Sequence, residues 1–553
     1  MTRDLRRLAD TRFDVVIVGA GIYGVAVAWD AAQRGLSVAI IDRGDFGGAT
    51  SFNNLKTLHG GLRSLSALDL RQMRLFVRER RAMARIVPHL VRPLGFVVAT
   101  SRRPDRSPLA WRALLAANDA MAHDRNEGLD DPAVHLPPGH LLSRHDTLRL
   151  NPVISPDGVT GGAVWYDYQM VSADRVTLSF LLSAVEAGAS AANYVRARAF
   201  LFADGRVCGV SAEDTLSGQQ FDIRGAVVVN AAGPWAASIL SGVPRAAEGT
   251  PPPRLSRGMN LVTRPVVGSH ACAGVSGGRF FFLVPWGRVS MFGTSHDAHR
   301  GSPDELSASS QDVHDFLRDA RAAFPLAALT AEDVRLVHRG LLPMVSGDGS
   351  EVRLLKESLV VDHRRHGVPG LVSIFGVRYT TARQTAEDAV DVIFRSLGHQ
   401  RPPPCRTAHT PLAGGRVANR ATFLDEAARL APAGLSPGAA RRIATAYGAA
   451  HDGVLALIRE DPALGQPLSP GCDVTGAELL FAVRREMAVT LADAILRRTD
   501  AGAGGHPGSA TLQRAAEMMG GVQGWDAART RDEIGAADAF YRLTGPGSPP
   551  HFP

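Results

Sequence analysis

The stretch FDVVIVGAGIYGVAVAWDAAQRGLSVAIIDR, residues 13–43, decides the fold. Residues 13–18 are a short apolar run rich in β-branched side chains and read as a buried strand. The GxGxxG turn Gly19-Ala20-Gly21-Ile22-Tyr23-Gly24 follows directly. Residues 25–34 are small and apolar enough for a helix packed on that strand. Gly35 ends it, 36–41 is a second strand, and Asp42 closes the unit. The order strand, glycine turn, helix, strand, acid is the dinucleotide-binding βαβ fingerprint. Gly19 permits the tight turn, Gly21 lets the backbone approach a pyrophosphate, and Gly24 lets helix and strand pack closely. The helix N-terminus offers N–H groups and a positive dipole end to the phosphates. Asp42 suits a pair of ribose hydroxyls and would repel a 2′-phosphate.

Working outward, 553 residues allow two to four domains with a large core. The net charge of +7 favours anionic substrates or an acidic membrane surface. No aromatic-and-basic motif accompanies it, so nucleic acid is not an expected partner. Cys208, Cys272, Cys405 and Cys472 lie far apart, without CxxC or Cys/His spacing, which argues against a metal centre and a disulfide scaffold. The N-terminus MTRDLRRLADTR has no apolar core of the kind a signal peptide carries. Residues 225–243 lack charge over 19 residues but contain Asn230, Gly233 and Pro234, so they read as strand, turn and helix and not as a membrane span. The expected location is cytoplasmic, or peripheral at the inner face of the cytoplasmic membrane.

After Asp42 comes a glycine-rich loop, then a strongly basic amphipathic helix over 70–87, whose cationic face is either solvated or set against acidic lipid headgroups. Ser172 or Asp174 caps a helix over 175–187. Strands are expected at 190–202, 207–213, 219–223 and 226–230, the middle pair forming a hairpin around Ser217-Gly218. Aromatic and β-branched alternation through 255–300 suggests an antiparallel sheet. Residues 370–375 are one more buried strand, followed by Gly376-Val377-Arg378-Tyr379-Thr380-Thr381 and a helix from Ala382. A proline-rich linker at 398–415 leads to a helical remainder, and PGSPPHFP forms a tail. Three strand-to-glycine-turn-to-helix junctions therefore stand out, at 13–25, 226–238 and 370–384. Ligands of open α/β sheets bind outside the carboxyl ends of strands, and three such ends on one dinucleotide suit a flavin better than a nicotinamide.

On these motifs the sequence resembles the FAD-dependent glycerol-3-phosphate dehydrogenase family, within the D-amino-acid-oxidase-like flavoproteins. The resemblance rests on the 13–43 unit, ATS at 49–51, Lys56 with LHGGLR at 58–63, and RERRAMARIVPHLVRPLGFV at 78–97. It continues through VVNAAGPWA at 228–236, VPWGRVSMFGTS at 284–295, IFGVRYTTARQTAEDAV at 374–390 and FAVRREMAVTLADAILRRT at 481–499. It implies an α/β plus α+β fold. A Rossmann-like FAD-binding domain of glutathione-reductase type would span 13–92, 160–250 and 340–397. An antiparallel substrate or cap domain would span 93–159 and 251–339, and an all-helical C-terminal domain 416–545.

The resemblance also implies roles. Gly19, Gly21, Ile22, Tyr23, Gly24, Asp42 and Arg43 would hold the ADP half of FAD. Thr50, Ser51, Lys56, Thr57, Leu58 and His59 would line the stretch from pyrophosphate to flavin. Val195 would touch adenine through its backbone, and Ala232 and Gly233 would bring backbone close to the cofactor. Gly376, Arg378, Tyr379, Thr380 and Thr381 would set a helix N-terminus at the flavin's pyrimidine edge, which becomes anionic on reduction. The chemistry would be hydride removal from a CH–OH carbon to flavin N5, with ketone as product. A base must take the hydroxyl proton, and His59 is the candidate; the alternative is that it only hydrogen-bonds FAD or backbone. Arg63 could hold an anionic group bidentately, or be a structural ion pair. Arg378 joins them as a candidate catalytic residue. No metal is expected.

Departures from the family pattern gather on the substrate side. Leu342 stands where the family has Arg, Asn260 where it has His, Ser64 where it has Tyr, Arg378 where it has Lys, His296 where it has Asp, and Lys356 where an Arg is usual. Asn53-Asn54-Leu55 replaces Arg-Ser-Ser. Losing one buried phosphate contact costs on the order of 2–5 kcal/mol, so Arg63, Asn260, Arg339, Lys356 and Arg378 become the residues on which an anionic substrate depends. The expected activity is oxidation of glycerol 3-phosphate or a related small alcohol, with electrons passed to a quinone or another acceptor. The alternatives are oxidation of a different alcohol or an amine, and a flavin-binding protein without turnover. A membrane-surface contact and a homodimer are further partners in view.

Overall fold

The computed structural model describes residues 1–243, 245–246, 252–345 and 352–543. Its first sheet runs in the order Leu359–Asp362, Leu371–Phe375, Gln220–Asn230, Arg12–Val18, Val38–Ile41, Ser190–Ala192. The last five are parallel, and Leu359–Asp362 is antiparallel at one edge. Both faces are buried, which is why these strands read as unbroken apolar runs. Val15 and Ile17 face the helices Ile22–Gln33, Ala173–Glu186 and Ala382–Ser396, while Val16 and Val18 face a second core with Val210, Ile223 and Leu240. Ser172 is the residue that caps Ala173–Glu186, its hydroxyl accepting from the Arg175 N–H.

The second sheet runs Val334–Met344, Arg254–Thr263, Val289–His299, Arg279–Trp286, His270–Ser276, Val91–Thr100, Gly161–Met170, Thr57–Leu58. All neighbours are antiparallel except His270–Ser276 on Val91–Thr100. Helix Ser310–Ala323 covers one face through Phe316 on Phe281 and Phe292. Helices then carry the chain from Arg420 to Ala539, with one small hairpin, Pro467–Ser469 on Cys472–Thr475. The PGSPPHFP tail lies outside the described residues.

Several expectations change. Gly161–Met170 falls within the range expected for the cofactor domain, yet it pairs along its whole length with Val91–Thr100 in the second sheet, and the 340–344 end of Val334–Met344 likewise pairs there with Arg254–Thr263. Residues 190–202 are two strands, because Tyr194 turns the chain at φ 57° and Val195–Ala203 departs from the parallel strands to pair antiparallel with Arg206–Asp214 in the same sheet. Residues 219–223 and 226–230 are one strand, Gln220–Asn230, whose first half carries the hairpin and whose second half lies in the parallel sheet. The basic helix is Leu70–Ile86, and most of its charge is used internally. Arg74 and Arg81 hold Asp124, Arg80 holds Asp167, and Arg85 donates to the Gly128 and Glu127 carbonyls. Only Arg71 and Arg78 stand exposed among its arginines.

Candidate cofactor and substrate cleft

The parallel strands Arg12–Val18, Gln220–Asn230 and Leu371–Phe375 end side by side, and the glycine turns beyond them open onto one cleft of about 2030 Å³. That is about twice the upper range of an ordinary small-ligand pocket. Gly19 sits at φ +101°, and a Cβ there would come within 2.5 Å of the Ala231 carbonyl oxygen. A Cβ on Gly24 would overlap the Gly19 carbonyl oxygen. The first turn therefore packs backbone on backbone, leaving the N-terminus of Ile22–Gln33 facing the cleft.

Polar groups around that terminus are fixed before any ligand arrives. Ser51 Oγ accepts from the Ile22 N–H at 2.9 Å. Asp42 accepts from the Ala20 N–H (2.7 Å) and the Gly44 N–H (3.0 Å), one on each oxygen, which leaves acceptor capacity on both. Burial pushes its carboxyl up to about 6. Arg43 lies 4.0 Å over the Trp235 ring and pairs with Asp304. Val195 lines the cleft, but its N–H already donates to the Asp42 carbonyl at 2.7 Å. Ala232, Gly233, Thr50 and Thr57 also line it.

Tyr23 braces the other end. Its phenol oxygen accepts from the Val377 N–H (3.0 Å) and the Arg378 N–H (2.9 Å) and donates to the Arg378 carbonyl (2.7 Å). The turn at 376–378 is thus tied to the first helix. Thr380 Oγ1 accepts from the His59 N–H at 3.2 Å, so the same turn also sets the HGGLR segment. Gly376, Arg378, Tyr379 and Thr380 line the cleft, though the Tyr379 hydroxyl points away to Thr177 and the Ala173 carbonyl.

His59 is half-exposed, at 48%, and lines the cleft, so its ring is open to a ligand. Burial lowers its pKa, helped by Arg378, Arg63 and Arg80 and opposed by Asp167. Nε2 lies 3.0 Å from Thr57 Oγ1, and Nδ1 lies 4.0 Å from Asp167 Oδ2. Asp167 is itself paired with Arg80 beneath the loop. Gly60 has no side chain because a Cβ would overlap the Arg80 guanidinium. Arg63, Lys356 and Arg378 face the same cleft, and none has a carboxylate partner among the described residues. Arg378 donates to the Lys356 carbonyl and sits 5.4 Å from the Phe76 ring. Asn260 lines the wall, buried, with Oδ1 accepting from Thr294.

Some expected site residues sit elsewhere. Lys56 does not reach the cleft; its ammonium is fully buried, donating to the Phe52 carbonyl at 2.7 Å, 3.4 Å from Asp174, and 4.8 and 5.3 Å from the Phe52 and Trp286 rings. Arg339 is opposite Met259, on the face that packs against Ser310–Ala323, and alternation carries it away from the cleft that Gly340 lines. Leu58 and Gly24 are packed behind the wall, and Thr381 starts the helix behind the turn.

Sequence reasoning missed Asp45. This fully buried carboxylate joins the cofactor loop to the C-terminal domain: Arg497 Nε donates at 2.6 Å and Arg498 at 2.6 and 2.7 Å, while Asp493 holds Arg497. The two guanidinium groups overcome burial and hold its carboxyl well below the usual range. The signal was local only in part: an acid in GDFGG, and the Arg-Arg pair of ILRRT, about 450 residues away.

Residues 14–386 match the family described as FAD dependent oxidoreductase, and residues 405–530 match the C-terminal domain of alpha-glycerophosphate oxidase. The glycerol-3-phosphate dehydrogenase of a Synechocystis strain is 30% identical over 515 residues, covering 90% of each chain. Glycerol-3-phosphate dehydrogenase 2 of Mycobacterium tuberculosis is 30% identical over 539 residues, covering 96% of this chain and 88% of that protein. The Bacillus halodurans glycerol-3-phosphate dehydrogenase, solved with FAD, superposes with a TM-score of 0.73 at 24% identity, over 97% of this chain and 95% of that one, which shows a shared fold. The cleft fits that cofactor: its volume exceeds one small molecule, a helix N-terminus with the Ser51 hydroxyl faces the phosphate position, and Asp42 keeps acceptors for a ribose. The cofactor is FAD, and the chain belongs to the FAD-dependent oxidoreductase family, as a member of its glycerol-3-phosphate dehydrogenase branch.

Proposed function

We propose that the chain oxidises the CH–OH carbon of glycerol 3-phosphate, giving dihydroxyacetone phosphate. The observation that carries this reading is the cluster Arg63, Lys356 and Arg378, three cations without carboxylate partners among the described residues, on the same cleft as the half-exposed His59. Unpaired cations in a partly dehydrated cleft favour an anionic ligand. Bound FAD supplies the hydride acceptor. His59 Nε2 is engaged by Thr57, so Nδ1 is the nitrogen that takes the hydroxyl proton, and the Asp167 carboxylate stabilises the charge that forms. A pKa below 6.5 keeps the imidazole neutral, and so basic, at pH 7. Turnover of glycerol 3-phosphate with an artificial acceptor, scored by dihydroxyacetone phosphate formed, tests the reading. Oxidation of an uncharged alcohol or an amino acid in its place would favour the alternative substrates.

Electrons then pass to a quinone at a membrane surface. Leu68 and Leu109 are 84% and 76% exposed, and Phe280 is 41% exposed. They adjoin Ala67, Asp69, Ala110 and Arg106 at the mouth of the cleft, with Arg71, Arg102, Arg103 and Arg112 exposed nearby. An apolar rim flanked by arginines fits an anionic lipid surface. No helix among the described residues is long and apolar enough to cross a membrane. Pelleting with anionic liposomes, lost on Leu68→Asp with Leu109→Asp, supports the contact; undiminished pelleting of that variant contradicts it.

A further inference from the structure

We propose that His296 forms, with Arg63, the subsite that holds the anionic end of the substrate. This rests on the reading above that the substrate is an anionic alcohol. Strand Val289–His299 brings His296 opposite Gly258, which is also opposite Gly340 on the next strand. The missing side chain at Gly258 leaves a hollow. A Cβ placed there would meet His296 Cε1 at 3.6 Å, Leu342 Cδ1 at 3.5 Å and Thr294 Cγ2 at 3.6 Å. All four residues line the cleft.

Two observations mark His296 as a ligand contact and not a packed core residue. Its ring makes no hydrogen bond to any described residue, and its Nδ1 is buried without a partner. Buried polar atoms are nearly always paired; with Nδ1 closed off, Nε2 is the unbonded nitrogen that a ligand in the cleft can reach. Arg63 is close enough that its charge, with that of Arg279, adds to burial in lowering the His296 pKa to about 4, against the opposing pull of Asp297. The same Arg63 acts on His59 and Arg378. The charge of one guanidinium is therefore felt by both imidazoles, His59 and His296, on the same cleft. Leu342 contributes no charge on this wall, so anion recognition there falls to Arg63 and a neutral imidazole N–H.

The test uses the FAD-loaded protein and inorganic phosphate as the probe. Phosphate should inhibit glycerol 3-phosphate oxidation competitively and bind in calorimetry. His296→Leu, which keeps bulk but no hydrogen bond, should weaken phosphate binding and raise KM for glycerol 3-phosphate about 10- to 100-fold, as expected for a hydrogen bond to a charged group. kcat should fall far less, and the flavin spectrum should not change. His296→Gln should recover part of the loss. A carboxylate analogue, glycerate, separates the anion types: a subsite built for phosphate binds it more weakly. The proposal is overturned if His296→Leu retains FAD and binds phosphate as the natural protein does, or if the natural protein does not bind phosphate. If phosphate binds through His296 while glycerol 3-phosphate is not oxidised, the subsite stands and the substrate reading falls.

Discussion

Replacing Tyr23 by phenylalanine removes one oxygen atom and keeps the ring. That oxygen accepts from the N–H groups of Val377 and Arg378 and donates to the Arg378 carbonyl. Ser358 Oγ, 3.3 Å from the Val377 N–H, can take over that donor. One group is then left unpaired, the Arg378 N–H, because the Arg378 carbonyl still accepts from the Thr381 N–H (3.3 Å) and the Thr381 hydroxyl (3.4 Å). Each unsatisfied buried polar group costs about 1–3 kcal/mol. The turn borders the cleft, where water can reach it, so the low end of the range applies and the cost is about 1 kcal/mol. If the turn must be re-ordered for the cofactor to bind, this cost appears in the FAD dissociation constant as a weakening of about fivefold. Titration of FAD into the apoprotein, followed by quenching of flavin fluorescence, measures it directly. A dissociation constant within about twofold of the natural protein would refute the argument, because it would mean the 376–378 turn is held by something other than this phenol.

Other substitutions probe the remaining links. Gly24→Ala should yield protein that is unstable and free of FAD, since the new Cβ overlaps the Gly19 carbonyl; purification with full flavin content would contradict this. His59→Asn should retain FAD yet lower the rate of flavin reduction about 10²- to 10⁴-fold, the usual range for loss of a general base. In the natural protein, the acid limb of kcat/KM should lie below pH 6.5, because the folded His59 pKa is lowered. Asp45→Asn leaves Arg498 buried without a carboxylate and Arg497 with Asp493 alone, and should destabilise the chain by about 3–5 kcal/mol in urea unfolding. The Asp45 carboxyl is depressed in the folded state, so its contribution is full above the unfolded value near pH 4 and declines as pH falls toward the folded value. Acid unfolding of the natural protein should therefore steepen below pH 4, and much less so in Asp45→Asn.

The unit at 13–43 was legible because its signals are local: apolar periodicity, glycine spacing and a terminal acid within some 30 residues. The junctions at 226–238 and 370–384 were legible for the same reason, and their strands do follow the first in sequence across the sheet, one beside it and one beyond. Pairing between distant strands left no such mark. Gly161–Met170 looks like any half-buried strand, and only its register with Val91–Thr100 assigns it to the second sheet. His270–Ser276 passed unseen because ACAGVS is a run of small residues with little β-branching. The basic helix misled because composition records charge without partners, and Asp124, Glu127 and Asp167 lie far along the chain. Lys56 misled in the opposite sense: an ammonium is expected at a surface or ligand, yet this one is held by a carbonyl, a carboxylate and two aromatic rings inside the protein. His296 was visible only as a departure from a pattern. Its place on the cleft, beside Leu342 and across from Gly258, needed the sheet register.

The account stands most directly on what reduces the flavin. Anaerobic addition of glycerol 3-phosphate to the FAD-loaded protein should bleach the oxidised flavin absorbance to completion, with one dihydroxyacetone phosphate formed per flavin and no bleaching by uncharged glycerol at the same concentration. A flavin that stays oxidised with glycerol 3-phosphate while an amine or an uncharged alcohol bleaches it would contradict the account.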